Sequence, residues 1–305
     1  MNSISTRSIT LGSRPSPLAR WQSETILRQL QVACPALSCR MLTIQTRGDR
    51  TLDRPLPEIG GKGLFTSELE AALRSGEIDL AVHSLKDLPV ANAPELCIAA
   101  ISQRADARDV LVSNHGQCLA DLPVGARVGT SSLRRAAQLL AARPDLNMFS
   151  LRGNVDTRIR KILQGDYDAI ILAAAGVERL GLEKYVSEHL AFEVMLPAPG
   201  QGVLAVQCRT SDTTLHELLA PLHDQNAARA VSAERAFLAG LGGGCSAPIA
   251  AYAQIFGATI SMTGLVASLD GRHIVRVIGE GPDPLDLGAK LAQRALELGA
   301  GKLLA

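Results

Sequence analysis

ITLGSRPSPLARWQSETILRQL, residues 9–30, and ARVGTSSLRRAAQLLAARPDL, residues 126–146, share one plan. Each reads as a short apolar strand, a Gly-Ser or Gly-Thr turn with arginine beside it, and an amphipathic helix. Two further pairs follow in the same order. MLTIQTRGD (41–49) and NMFSLRGNVDTR (147–158) are strands that end on Arg-Gly. GEIDLAVHSLKDL (76–88) and GDYDAIILAAAGVERL (165–180) start Gly-acid-x-Asp and run as apolar strands into a turn. Three ordered matches predict two α/β lobes of similar plan, with largely parallel sheets, facing across a cleft.

The rest of the chain is organised differently. VMLPAPGQGVLAVQCR, 194–209, is punctuated by proline and glycine and then becomes strand-like, which suits a segment returning the chain to the first lobe. NAARAVSAERAFLAGL predicts a helix, and residues 249–281 alternate with period two around an Asp-Gly turn at 270–271, a hairpin pattern. The helix PLDLGAKLAQRALELGA closes a small α+β third domain. The boundaries expected are 1–102 with 200–220 for the first lobe, 103–199 for the second and 221–305 for the third.

Composition excludes several classes. Lysine plus arginine number 31 against 30 aspartates and glutamates, so no global field draws the chain to nucleic acid or a membrane. Aromatics are 3 % of residues, too few for base-stacking platforms. AIILAAAGV, 169–177, is the longest strongly apolar run and suits a buried strand, not a bilayer span. MNSISTRSITLGSRPS lacks a secretory h-region, so a cytoplasmic protein is expected. Six cysteines form no C-x-x-C pair, and no metal-site spacing is present.

The chemistry-bearing residues gather at predicted strand ends, where open α/β sheets bind ligands. Arg14 lies in GSRPSPL, Arg134 and Arg135 in GTSSLRR, Arg152 and Arg158 in LRGNVDTR, and Arg179 after the apolar strand of the 170s. Guanidinium forks beside helix N-termini suit a polyanion. AVHSLKDLPV, 81–90, closes a buried strand with His83, Ser84, Lys86 and Asp87. EIGGKGLF, 58–65, fails the P-loop pattern because Gly63 follows Lys62, and residues 48–63 read instead as a lid loop. Finally, GLGGGCSAPIA sets Cys245 after three glycines. From its own residues that thiol could be a nucleophile, a metal ligand, a disulfide partner or filler.

AVHSLKDLP, GTSSLRRAAQL, LRGNVDTR, LPAPGQG and GGGCSAPIAAYA occur in this order, and with them the whole chain resembles the porphobilinogen deaminase (hydroxymethylbilane synthase) family. The resemblance implies two doubly wound lobes like those of periplasmic binding proteins, plus a small α+β domain. It implies a monomeric transferase that joins four porphobilinogen molecules head to tail into hydroxymethylbilane and releases ammonia. A dipyrromethane cofactor, held as a thioether on Cys245, primes the reaction. Asp87 is then the catalytic carboxylate, assisting proton transfer and steadying the azafulvene cation left when the amine departs. Ser84, Lys86, Asp87, Thr130, Ser132, Arg134, Arg135 and Arg158 would hold the cofactor. Arg14, Ser16, Arg152, Arg158 and Arg179 would hold the carboxylates of substrate, with Lys62 in the lid. Two positions depart from the family pattern: Glu58 stands where some relatives have lysine, and Ala107 where proline is common.

Two other classes fit parts of the pattern. A two-lobed binding protein for a polycarboxylate explains the repeat and the arginines, but not Cys245 or the third domain. A cysteine-nucleophile enzyme explains Cys245, but no histidine lies near it in sequence.

Overall fold

The computed structural model describes residues 8–50, 63–91, 93–244 and 247–304. Chain contacts divide it into two compact units: Met1–Asp53, Gly61–Arg104 and Val203–Ala228 form the first, and Arg54–Gly60, Ala105–Gly202 and Arg229–Ala305 the second.

The first unit is built on a five-stranded sheet of order β2-β1-β3-β10-β4. Its strands are β1 (Ser8–Ser13), β2 (Ser38–Thr43), β3 (Leu80–Ser84), β4 (Leu96–Ile101) and β10 (Leu204–Arg209). β1 pairs in parallel with β2 and β3, whereas β10 runs antiparallel to both β3 and β4. Helix α1 (Pro17–Ala33) starts where the sequence dictates: Ser16 is extended and its Oγ accepts the Ala19 amide at 3.3 Å, with Pro17 in the first turn. α1 turns Ile26 and Leu30 into a core with Ile9, Leu11, Leu80, Val82 and Val206. Helix α2 (Ser67–Ser75) covers the opposite face with Leu69 and Leu73, and Gly76 ends it in the left-handed conformation, φ 79°.

The second unit repeats this plan. Its sheet has order β7-β6-β8-β5-β9, with β5 (Asp109–Ser113), β6 (Arg127–Gly129), β7 (Asn147–Phe149), β8 (Ala169–Ala173) and β9 (Glu188–His189). Again the first three strands are parallel, and here β5 is the antiparallel one. Alternation sorts the apolar run: Leu111, Ala169 and Ile171 join one core, while Val110, Val112, Ile170 and Leu172 join the other. Helices α3 (Leu133–Ala142), α4 (Val155–Leu163) and α5 (Ala174–Arg179) follow β6, β7 and β8. The repeat inferred from sequence is therefore topological, strand for strand. "Largely parallel" holds for three strands of each sheet, with a reversed strand fourth in order.

The same unit contains the three-stranded antiparallel meander β11 (Ile249–Phe256), β12 (Thr259–Ala267) and β13 (Ile274–Gly281). Helices α6 (Thr213–Leu219), α7 (Gln225–Gly240), α8 (Pro284–Glu297) and α9 (Ala300–Leu304) complete the chain. Gly264 on β12 leaves room for the fully buried Phe237 ring of α7, since a Cβ there would meet that ring at 2.5 Å. Glu234, also on α7 and 0 % exposed, accepts the Gly200 amide at 2.7 Å and the Ala253 amide at 2.9 Å, tying the 197–202 segment to β11.

Candidate active site

In each sheet the parallel strands point their C-terminal ends to one edge, and the loops there carry the residues selected from sequence. In the first unit β1 delivers Arg14 and Ser16, and β3 delivers Ser84, Lys86 and Asp87. The last two lie in a 3₁₀ turn, Leu85–Asp87. The two loops are physically joined, because Gln22 on α1 donates from Nε2 to Ser84 Oγ at 2.9 Å. Lys86 is half-buried and Asp87 exposed, and no ion pair engages the Asp87 carboxylate among the described residues.

Arg14 is positioned by partners that sequence reading missed. It pairs with Asp49 through Nη2 and through Nε, 3.1 Å from Oδ1, and its guanidinium stacks 4.3 Å from the centroid of Phe65. Burial works to raise the Asp49 carboxyl, but Arg14 and Thr46 outweigh it and hold it below the usual carboxylate range. Asp49 closes the Arg-Gly-Asp stretch quoted above. The available sequence signal was thus an acid next to a strand-ending arginine motif.

His83, on β3 just before this loop, is 6 % exposed, and burial pushes it down to about 4, against the opposing influence of the neighbouring Gln207 amide. It is neutral in the fold at pH 7. Below its ordinary value of 6.5 the unfolded chain takes up a proton that the folded chain refuses. Stability should therefore fall as pH drops from about 6.5 to about 4, by roughly 3 kcal/mol from this one residue, and level off below that. Urea unfolding of wild type and His83→Gln across this window checks it; equal pH slopes would remove the assignment.

In the second unit β6 leads to Thr130, Ser132, Arg134 and Arg135. Thr130 Oγ1 accepts the Ser132 amide at 3.1 Å, and Ser132 Oγ caps α3 by accepting the Arg135 amide at 3.4 Å. The two arginines lie inside the protein, 5 % and 6 % exposed. Both pair with one buried carboxylate, Asp109: Arg134 Nη1 to Oδ2 at 2.8 Å and Arg135 Nη2 to Oδ1 at 2.7 Å. Gln201 Nε2 donates to the same Oδ1 at 2.9 Å. Arg134 also donates to Leu196 O at 2.7 Å and Arg135 to Ile171 O at 3.0 Å. Two guanidiniums on one carboxylate leave net positive charge in a dry place. Desolvation accordingly pushes Arg134 below its ordinary value.

The remaining cations follow the neighbouring strands. Arg152 comes after β7, half-buried; Arg158 in α4 donates from Nε to Gly153 O at 2.8 Å. Arg179, at the end of α5, donates to Gly202 O at 2.8 Å, and burial lowers it to about 10. Cys245, Lys62 and Glu58 lie outside the described residues.

Fold and site together define a class: a two-lobed α/β protein with cations and hydroxyls at its parallel strand ends and an α+β C-terminal portion. The dipyromethane cofactor binding domain of porphobilinogen deaminase matches residues 9–217, and the C-terminal domain of porphobilinogen deaminase matches residues 228–297. The chain belongs to the porphobilinogen deaminase family. It is 52 % identical to a porphobilinogen deaminase of Roseiflexus castenholzii, covering 98 % of this chain and 99 % of that one. With a porphobilinogen deaminase of Syntrophotalea carbinolica it shares 49 % identity over 99 % of this chain and 96 % of the other. Among solved structures, the alkanesulfonate-binding protein SsuA from Xanthomonas axonopodis pv. citri aligns at TM-score 0.40 and 16 % identity, over 76 % of this chain and 73 % of that one. No helix among the described residues is long and apolar enough to cross a membrane.

Proposed function

We propose that the strand-end groups of each unit hold the carboxylates of a growing pyrrole chain and that Asp87 serves its reacting end. The reaction is the head-to-tail joining of four porphobilinogen molecules into hydroxymethylbilane with release of ammonia, primed by a covalent dipyrromethane. The observation that carries the residue assignment is the gathering of these groups at the C-terminal ends of β1 and β3 in one sheet and β6, β7 and β8 in the other.

The donor set fits the cofactor. It bears several carboxylates, and this chain offers guanidiniums, hydroxyls and helix N-termini. In the first unit Ser84, Lys86 and Asp87 hold it; in the second Thr130, Ser132, Arg134, Arg135 and Arg158 do so, and Cys245 carries the thioether. When bound, it supplies the nucleophilic pyrrole carbon to which the first substrate is joined. Arg14, Ser16, Arg152, Arg158 and Arg179 receive the substrate's acetate and propionate groups, with Lys62 as a further cation for them. Arg14 is pre-oriented by Asp49 and Phe65, so little side-chain entropy remains to be lost on binding. Asp87 steadies the cation left on the substrate when its amine departs, and relays the proton released on ring joining.

Intact-protein mass spectrometry tests this directly. Active protein should be heavier than the bare chain by a two-pyrrole adduct that maps to Cys245, and a few equivalents of porphobilinogen should give stepwise heavier species. An unmodified mass in fully active protein would overturn the reading.

The three-part division is also part of the proposal: 1–102 with 200–220, 103–199, and 221–305 as the cofactor-anchoring portion. The separate sheet β11-β12-β13 supports it. Near-balanced charge supports action on a small molecule and not on nucleic acid, and the family likeness supports a monomer that works in the cytoplasm. Light scattering of the purified chain checks the monomer.

A further inference from the structure

A cluster of soft ligands lies in the first unit, and the chemistry above makes no use of it. β4 and β10 are antiparallel neighbours whose register sets Cys97 opposite Cys208. α6 then brings His216, whose Nε2 is 3.5 Å from Cys97 Sγ. The two sulfurs and one imidazole nitrogen all lie within 4.8 Å of one another. Cys208 is fully buried, while Cys97 and His216 are half-buried. No sequence spacing announces this group, because its members come from two strands and a helix that only folding brings together.

The geometry favours a shared cation over a disulfide. Thr210 N donates to Glu95 O at 2.9 Å. Antiparallel rungs alternate, so Cys97 and Cys208, two positions along, occupy a rung of the same hydrogen-bonded kind, where Cα atoms stand about 5.5 Å apart. The Cβ atoms of such a rung are spread beyond the roughly 3.8 Å that a disulfide prefers. A tetrahedral zinc ion with Zn–S about 2.3 Å and Zn–N about 2.0–2.1 Å has S···N edges of about 3.5–3.6 Å. The Cys97–His216 separation matches that edge.

We propose that Cys97, Cys208 and His216 form a binding site for one borderline-soft divalent cation such as Zn²⁺, with water as fourth ligand. On binding, two S–H bonds break, two metal–sulfur bonds form, and both protons leave to solvent. The Nε2–H of His216 now faces the Arg209 carbonyl at 3.2 Å; on binding, the ring exchanges that proton through solvent for one on Nδ1, releases the carbonyl and gives its Nε2 lone pair to the ion. The ion would cross-link β4, β10 and α6 and stabilise the first unit by mass action.

The test uses the full-length reduced protein, equilibrated with Zn²⁺ and then dialysed, with bound metal measured by mass spectrometry and Co²⁺ used as a spectroscopic probe. Wild type should retain one more equivalent of zinc than Cys97→Ser/Cys208→Ser. Its Co²⁺ complex should show sulfur-to-metal charge transfer and tetrahedral d–d bands that the double variant lacks. Cys97→Ser alone, at a half-buried position that tolerates the change, should weaken binding by more than the about 10–100-fold seen when only an outer partner is lost. His216→Ala should do the same. Equal zinc content and identical Co²⁺ spectra in wild type and double variant would overturn the proposal. So would charge transfer that survives in the double variant, which would place the metal on other cysteines.

Discussion

Asp87→Ala should lower kcat by about two to four orders of magnitude, while the protein stays folded and still binds porphobilinogen. The expectation rests on position. Asp87 is exposed at the end of the 3₁₀ turn that follows β3, beside Lys86 and in the same loop cluster as Arg14. An exposed carboxylate with no ion pair among the described residues contributes little to the fold, so the unfolding free energy should change by no more than about 0.5 kcal/mol. A group that stabilises charge arising only during reaction acts on kcat and leaves substrate binding largely alone. Asp87→Asn separates the two roles: it keeps the shape and loses the charge, and should be nearly as slow as alanine. Rates close to wild type in either variant, measured as hydroxymethylbilane formed per enzyme per unit time, would remove Asp87 from the mechanism.

The largest effect on stability belongs to Asp109, a residue sequence reading passed over. Asp109→Ala should destabilise the second unit by about 3–5 kcal/mol, because two buried guanidiniums lose the counter-charge they share. That corresponds to a fall in Tm of roughly 6–20 °C. The control lies three residues away. Asp106 pairs with Arg108 at 2.6 Å, but that arginine is 41 % exposed, so Asp106→Ala should cost no more than about 1 kcal/mol. A double-mutant cycle between Asp109 and Arg135 should show coupling of about 0.5–3 kcal/mol. If Asp109→Ala is no more harmful than Asp106→Ala, the three-residue cluster does not hold the second sheet to α3. The same cluster has a functional reading. On the function proposed above, a cofactor carboxylate would be drawn by the field of this pair, whose charge Asp109 only half neutralises. Arg134→Leu and Arg135→Leu should therefore impair cofactor loading as well as stability.

Much of this was legible in one dimension. The Gly-Ser and Gly-Thr turns after β1 and β6 mark strand ends, Ser16 and Ser132 mark helix starts, and the run Ala169–Ala173 reads as a doubly buried strand. These are local properties: capping, glycine turns and period-two or helical spacing act within a few residues. The position of Asp87 followed from them, since a residue just past an apolar strand must emerge at the sheet's C-terminal edge.

What the sequence by itself determined is therefore the elements, the repeat, and which residues stand at strand ends. Only the tertiary structure decided their partners. It inserted β10 antiparallel between β3 and β4, set Cys97 against Cys208, gave Arg14 to Asp49, and turned Arg134 and Arg135 inward onto Asp109. The reason is physical. Strand order and ion pairing are fixed by close packing between residues far apart in the chain. A guanidinium drawn as a surface cation in sequence becomes a buried one wherever packing supplies a carboxylate to meet it.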